Sequence, residues 1–333
     1  MPVAHVNGLA FEYEVAGAPD APPLLLIMGL GMPALLWPPE IVDTLVAQGF
    51  RVITFDNRDC GGSSRLAHLP VPNIPRAVTR AQLRRKVSAP YDLTDMALDT
   101  ACVLDAAGVD RAHVVGVSMG GMIAQELAAR LPQRVLTLTS IMSSSGNPRP
   151  GVALGKVRAL RALLRRPPAD ATDIAAIVDH LVFVFSVIGS PGYPQDEQAL
   201  RSHLERVARR GLYPDGTARQ LAAILASGDR RTLLQRISAP TLVVHGASDP
   251  LVRPAAGRDT AQNIPGARLE MIDGMGHDFP PALMAKIALM VAQHCKAQGA
   301  AVDAINLPVN VEVATEGPPA AIPAAQEAGQ LSA

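Results

Sequence analysis

A chain of 333 residues, 48% of them hydrophobic, can bury the core of one large domain with an insertion or of two small ones. Lys+Arg and Asp+Glu number 30 each, so there is no long-range field to hold nucleic acid or an anionic membrane, and no apolar run approaches the roughly 20 residues of a membrane span. Cys60, Cys102 and Cys295 are few, odd in number and far apart, which gives no metal-ligand spacing and fits a reducing, cytoplasmic setting; the start, Met1-Pro2-Val3-Ala4-His5, lacks the basic-then-apolar order of a signal peptide.

Residues 3–16 read as a hairpin. Asn7-Gly8 is a two-residue turn signal, and Phe11, Tyr13 and Val15 alternate with Glu12 and Glu14, as at a sheet edge with one wet face. Leu24 to Met28 is apolar throughout, the pattern of a strand buried on both faces, and it opens into Gly29-Leu30-Gly31-Met32-Pro33. A helix over 38–48 follows, then a strand over 51–55 ending at Asp56-Asn57-Arg58-Asp59-Cys60-Gly61-Gly62-Ser63. Residues 64–90, with their prolines and basic side chains, read as a long loop holding a short helix. Residues 93–107 form an amphipathic helix with Met96, Leu98, Val103 and Leu104 apolar, Asp92 or Thr94 as its cap and Gly108 as its stop.

A strand over 112–115, a helix over 122–131 and a strand over 135–142 come next. From 143 to about 236 only helical patterns recur, broken by Pro and Gly: Val157-Leu160-Leu164, residues 174–187, Leu200-Leu204-Val207 and residues 218–226. Strand and helix alternate again from Thr241-Leu242-Val243-Val244 through residues 268–272 to a helix over 282–298. The pattern predicts an α/β fold: a mostly parallel sheet with helices on both faces, built from residues 1–143 and 237–298. A helical cap, 144–236, is inserted after the sixth strand; the other reading of that stretch is an independent helical domain. The Ala/Pro-rich remainder, 299–333, reads as a disordered tail in which Val309 to Val313 could add a stray strand.

One stretch organises the rest. Gly116-Val117-Ser118-Met119-Gly120-Gly121 stands between a predicted strand and a predicted helix, which is the setting of the G-x-S-x-G nucleophile elbow. So sharp a turn needs small residues two before and two after the serine, and Gly116 and Gly120 supply them; Gly121 lets the helix sit close. Without that setting, the same letters would describe only a serine in a glycine-rich turn. A serine hydroxyl attacks only if a base takes its proton and a third group orients the base. Asp249, past the strand ending at Val244, and His277, past the strand at 268–272, are the residues placed for these roles. Of the other histidines, His245 sits four residues before Asp249 and reads as a packed, hydrogen-bonded ring, and His113 lies inside a strand. Asp273 and Asp278 are too near His277 in sequence to reach its far nitrogen, and Ser143-Ser144-Ser145-Gly146 offers no carboxylate.

The order Ser, Asp, His and nearly all of residues 1–297 resemble the α/β-hydrolase family. Asp56-Asn57-Arg58-Asp59-Cys60-Gly61-Gly62-Ser63 is similar to the family's D-x-R-G-x-G-x-S, with Asp59 where glycine is usual, and Met28-Gly29 stands for the usual His-Gly. These departures, with Gly274-Met275-Gly276-His277, resemble the branch of aclacinomycin-type methylesterases. The resemblance implies an oxyanion hole made of the backbone N–H groups of Leu30 and Met119, with Gly29 keeping the approach open. It also implies hydrolysis of small to medium, moderately apolar carboxylic esters through an acyl-enzyme, with no metal and no organic cofactor. Phe183 and Phe185 are then candidates for an apolar pocket wall or ordinary cap core. Other serine-triad chemistry (C–C hydrolysis, acyl transfer, lactone or peptide cleavage) and a non-catalytic ligand-binding role are the alternatives. A dinucleotide fingerprint, G-x-G-x-x-A over Gly29 to Ala34 with Asp56 ending the next strand, competes for the same loop; Trp37-Pro38-Pro39 is a poor continuation for its helix. Nothing in the sequence sets an oligomeric state.

Overall fold

The computed structural model describes residues 2–305 apart from Asn7, Leu154, Ala169 and Ala171. Eight strands form a single sheet: β1 (Val3–Val6), β2 (Leu9–Ala16), β3 (Pro23–Ile27), β4 (Arg51–Phe55), β5 (Ala112–Val117), β6 (Val135–Ile141), β7 (Thr241–Gly246) and β8 (Arg268–Ile272). Their spatial order is β1-β2-β4-β3-β5-β6-β7-β8, antiparallel at the β1-β2 and β2-β4 pairs and parallel elsewhere. In the β1-β2 hairpin Val6 faces Leu9, as the two-residue turn requires.

Burial on both sides explains the continuous apolar runs. Leu25 and Ile27 of β3 face one core layer with Ile53, Val114 and Leu138; Leu24 and Leu26 face the other with Val52, Val115 and Val244. The first layer is closed by α3 (Leu93–Ala106) and α4 (Met119–Arg130), the second by α1 (Pro39–Ala47) and α11 (Pro281–Ile305). The short helix expected within 64–90 is α2 (Ile74–Gln82). Asp92 caps α3 in a reciprocal box with Asp95. Leu98, expected on the apolar face of α3, is 49% exposed: it follows Ala97 by 100° around the helix and falls outside the buried stripe.

Between β6 and β7 lie α5 (Val157–Leu163), α6 (Ile174–Ile188), α7 (Glu197–Arg210), α8 (Pro214–Ser227) and α9 (Arg231–Leu234); α10 (Pro254–Asn263) separates β7 from β8. Of the first three, α6 and α7 pack on each other around Ile177, Leu181 and Leu204, α5 packs on α6 around Ala159, Val184 and Ile188, and together they roof the sheet's C-terminal edge. The last two pack on the body instead: α8 lies against α2 and α3, and α9 against α4 and α10. Helix α11 runs seven residues beyond 298, through Gly299, because the alanines at 300, 301 and 304 are strong helix formers. The rest of the expected tail, Val309 to Val313 included, lies outside the described residues.

A buried ion pair fixes α8. The Arg219 side chain is fully buried; its Nε and Nη2 donate to Asp59 Oδ2 and Oδ1 at 2.8 and 3.1 Å, and Nη2 also donates to Tyr213 Oη at 3.0 Å. Asp59 accepts further bonds from Tyr91 Oη and Leu66 N, and burial beside that carboxylate pushes the Tyr91 phenol up. Asp59 itself holds φ +62, the left-handed region that favours glycine. Removing one partner leaves the other charged and buried, so Arg219→Ala is expected to lose about 3–5 kcal/mol of stability. The shift in thermal or urea midpoint measures it; a change under 1 kcal/mol would contradict this account of how α8 is held.

Candidate active site

The C-terminal ends of β5, β7 and β8 meet below the roof. At the end of β5 the chain turns sharply into α4. Ser118 takes φ +55 and ψ −118, a conformation that costs a non-glycine residue of order 1–3 kcal/mol. It is held by Ser118 N donating to Ile141 O at 2.9 Å and by Ser143 Oγ donating to Ser118 O at 2.7 Å. Neighbouring glycines make the turn sterically feasible. A Cβ on Gly116 would sit 2.1 Å from Gly120 O, and one on Gly120 would sit 2.1 Å from Ile27 O. Met119 begins α4, so its N–H belongs to the first turn, whose amides have no partner within the helix. The loop after β3 passes directly beside the serine: a Cβ on Gly29 would lie 3.3 Å from Ser118 Cβ.

Three side chains from separate loops converge. His277 Nε2 is 3.1 Å from Ser118 Oγ, and His277 Nδ1 is 2.7 Å from Asp249 Oδ2. With Nδ1–H donating to the carboxylate, Nε2 carries the lone pair that faces the hydroxyl. Asp249 is buried, and its Oδ1 accepts the N–H groups of Leu251 and Val252, each at 2.8 Å. Asp273 and Asp278 do not take this place. His245 is fully buried; desolvation lowers its pKa, and its neutral ring donates Nε2–H to Val252 O at 2.8 Å. His113 packs inside β5 with Nδ1 2.9 Å from Thr137 Oγ1, its pKa lowered by burial to about 4.

The roof takes part in holding the histidine. His277 N donates to Ile188 O at 2.8 Å, Gly276 N donates to Ser190 Oγ at 2.8 Å, and Gly192 N donates to Gly274 O at 3.0 Å. Ser190 Oγ and Gln195 Nε2 both contact Asp278, whose carboxyl is pushed above its ordinary value by burial. Glycine makes this contact possible, since a Cβ on Gly276 would lie 2.2 Å from Gly189 O. None of these partners was legible from spacing; the one signal was the run of glycines at 189, 192, 274 and 276.

Ser118 and His277 open onto a cavity of about 700 Å³, a size that takes a drug-sized molecule. Its walls are mainly apolar, with Met122, Met142, Phe185, Leu251 and Phe279 among them, and Leu30 lines it beside the serine. Glu40, Ser202, His203 and Arg206 form a polar stretch of wall. Phe183 does not reach the cavity. It is 40% exposed beneath Arg165, because residues two apart on a helix point about 200° from each other and Phe185 faces in. The loop that suggested a dinucleotide fingerprint leads into a short 3₁₀ turn at Ala34–Leu36, not a helix, and Gly31 N is bonded to Gln220. Among the described residues no group of three His, Cys, Asp or Glu is arranged to hold a metal ion, and no helix is long and apolar enough to cross a membrane.

Known proteins share this architecture. The family model described as α/β hydrolase fold matches residues 22–174 and 197–280. A rhodomycin D methylesterase of Streptomyces peucetius is 30% identical over 301 residues, 85% of this chain and 94% of its own. A putative carbamate hydrolase of Azorhizobium caulinodans is 31% identical over 281 residues, 84% of this chain and 92% of its own. Among solved structures, the enol-lactonase of Burkholderia xenovorans superposes with a TM-score of 0.64 at 24% identity, over 89% of this chain and all of that one.

Proposed function

The chain belongs to the α/β-hydrolase fold family, and from that premise we propose that it is a serine-dependent carboxylic ester hydrolase. Ser118 Oγ attacks the ester carbonyl as His277 Nε2 takes its proton. Asp249 keeps the imidazole proton on Nδ1 and stabilises the imidazolium. The N–H groups of Met119 and Leu30 donate to the developing oxyanion, a contribution of roughly 10²–10³ in rate for each donor. Collapse expels the alcohol, protonated by His277, and leaves an acyl-serine; water deprotonated by the same ring then releases the acid. The observation that carries the reading is the line Ser118 Oγ–His277 Nε2 at 3.1 Å and His277 Nδ1–Asp249 Oδ2 at 2.7 Å, at the edge of an apolar cavity.

Relatives named as methylesterases favour an ester over the other reactions that this fold supports. A cavity of about 700 Å³ walled by Met, Leu and Phe favours a small to medium, moderately apolar ester as the small-molecule partner. The chemistry needs no metal or cofactor. Cys60, Cys102 and Cys295 are all free, in keeping with a cytoplasmic enzyme.

A fluorophosphonate probe with a series of p-nitrophenyl esters tests this. One equivalent of label is expected on Ser118, and turnover is expected to peak at intermediate acyl length. Label elsewhere, or the same labelling of Ser118→Ala, would refute the assignment. An added alcohol that yields a new ester in preference to acid would move the reading to acyl transfer.

A further inference from the structure

The oxyanion loop is pinned from a distance. Residues 28–31 carry the N–H of Leu30, which the proposed function makes a donor to the oxyanion. At one end of the loop, buried Asn57 donates Nδ2–H to Met28 O at 3.1 Å. At the other, Gly31 N donates to Gln220 Oε1 at 2.7 Å, across 189 residues of sequence. Gln220 belongs to α8 and is fully buried; its Nε2 donates to Arg58 O at 2.7 Å. The two bonds use opposite ends of the amide, so a flipped side chain would set N–H against N–H and oxygen against oxygen. Thr217, one turn earlier on α8, occupies the space where a Cβ on Gly31 would lie 2.4 Å from its hydroxyl, and Gly31 holds φ +68.

We infer that Gln220 is a positioning residue for the oxyanion hole: by accepting the Gly31 N–H it sets the direction of the neighbouring Leu30 N–H toward the reacting carbonyl. The inference rests on the Leu30 role proposed above. The Leu30 and Gly31 amides lie on successive peptide planes. Fixing the second plane at Gln220, and the chain before it at Asn57, leaves the first able to turn only about its own Cα–Cα axis, and its far end, Gly29 O, accepts Met32 N–H at 3.4 Å. The structure gives the device a rigid base, because the adjacent residue, Arg219, is the one locked to Asp59. A donor that turns away loses stabilisation only where charge develops, so its loss falls on the transition state and spares ground-state binding.

The test uses Gln220→Leu, which removes both hydrogen bonds at nearly constant volume, and Gln220→Glu, which as a neutral acid can still accept from Gly31 and donate to Arg58. Four quantities are read: kcat and KM on a good p-nitrophenyl ester substrate, and the affinities of an alkylboronic acid, which forms a tetrahedral serine adduct, and of a non-reactive ether of equal length. Gln220→Leu is expected to lower kcat/KM roughly 10–100-fold, less than the full loss of a donor. Boronate affinity should fall by the same factor, with ether affinity within twofold of wild type. For Gln220→Glu, the ratio of its kcat to that of wild type should rise as pH falls: the ionised form sets oxygen against Arg58 O and pushes the side chain off the seat from which it accepts the Gly31 N–H, and protonation restores the bond to Arg58 O.

A folded Gln220→Leu with wild-type kcat overturns the inference, as does equal loss of boronate and ether affinity. Should the Leu variant fail to fold, the Glu variant decides: a ratio independent of pH refutes the role. Ser118→Ala, run alongside, separates the two layers. If it retains turnover, the proposed function fails; if it is inactive while Gln220 is neutral, only this inference does.

Discussion

Ser118→Ala is expected to lower kcat for ester hydrolysis by roughly 10⁴–10⁶ while leaving the affinity of a non-reactive ether within a few fold. The loss is large because, among the described residues, Ser118 Oγ is the hydroxyl hydrogen-bonded to His277, at 3.1 Å. Binding should survive, since the apolar wall owes nothing to that oxygen. Folding should survive as well: alanine keeps the Cβ, the atom that φ +55 strains, so the turn is strained no further. Steady-state kinetics with the purified variant, beside its melting temperature, give the comparison. Residual turnover above about 1% of wild type would mean that the reaction proceeds without this nucleophile.

The second large effect belongs to the carboxylate. Asp249→Asn should cost about 10³–10⁴ in kcat/KM near neutral pH, a size known for this substitution in a serine protease. The structure says why the amide cannot substitute. Oδ1 is committed to two backbone N–H groups, Leu251 and Val252, so the amide oxygen of an asparagine must stay there. Its NH₂ then replaces Oδ2, 2.7 Å from His277 Nδ1, and donates to that nitrogen. The ring proton moves to Nε2, which faces Ser118 with a hydrogen in place of a lone pair. The melting temperature should change little, because shape and backbone bonds are kept. Activity within tenfold of wild type would rule out this tautomer argument.

Sequence reasoning reached the parts of the candidate site that obey local rules. The strand, the glycines at 116 and 120 and the following helix are set by steric demand within five residues, so Ser118 could be singled out. Asp249 and His277 could be named because each follows a strand of a parallel sheet, whose C-terminal edge collects such loops. What stayed hidden depends on how separate helices dock. No periodicity connects Gln220 with Gly31 or Arg219 with Asp59, and both links form only when α8 folds onto the body. The aspartate at 59, in place of the glycine usual in the similar motif, was the one visible sign. A buried carboxylate needs a buried cation, and the sequence did not say which of 30 basic residues it was. Phe183 and Phe185 show a smaller failure of the same kind: composition marks both as apolar, and only the rotation of α6 decides which one faces inward.

The weave between the Ile188–Gln195 segment and the Gly274–Asp278 loop bears on how this enzyme could acquire new substrates. The segment that shapes the chamber is bonded to the loop that carries His277, so mutations that remodel it for a different guest are expected to alter turnover in the same stroke. Helix α7, which touches the chamber through Ala199, Ser202 and Arg206 and lies off that weave, carries no such linkage. Laboratory selection for altered preference should therefore gather its tolerated changes along α7 and leave residues 188–195 almost untouched.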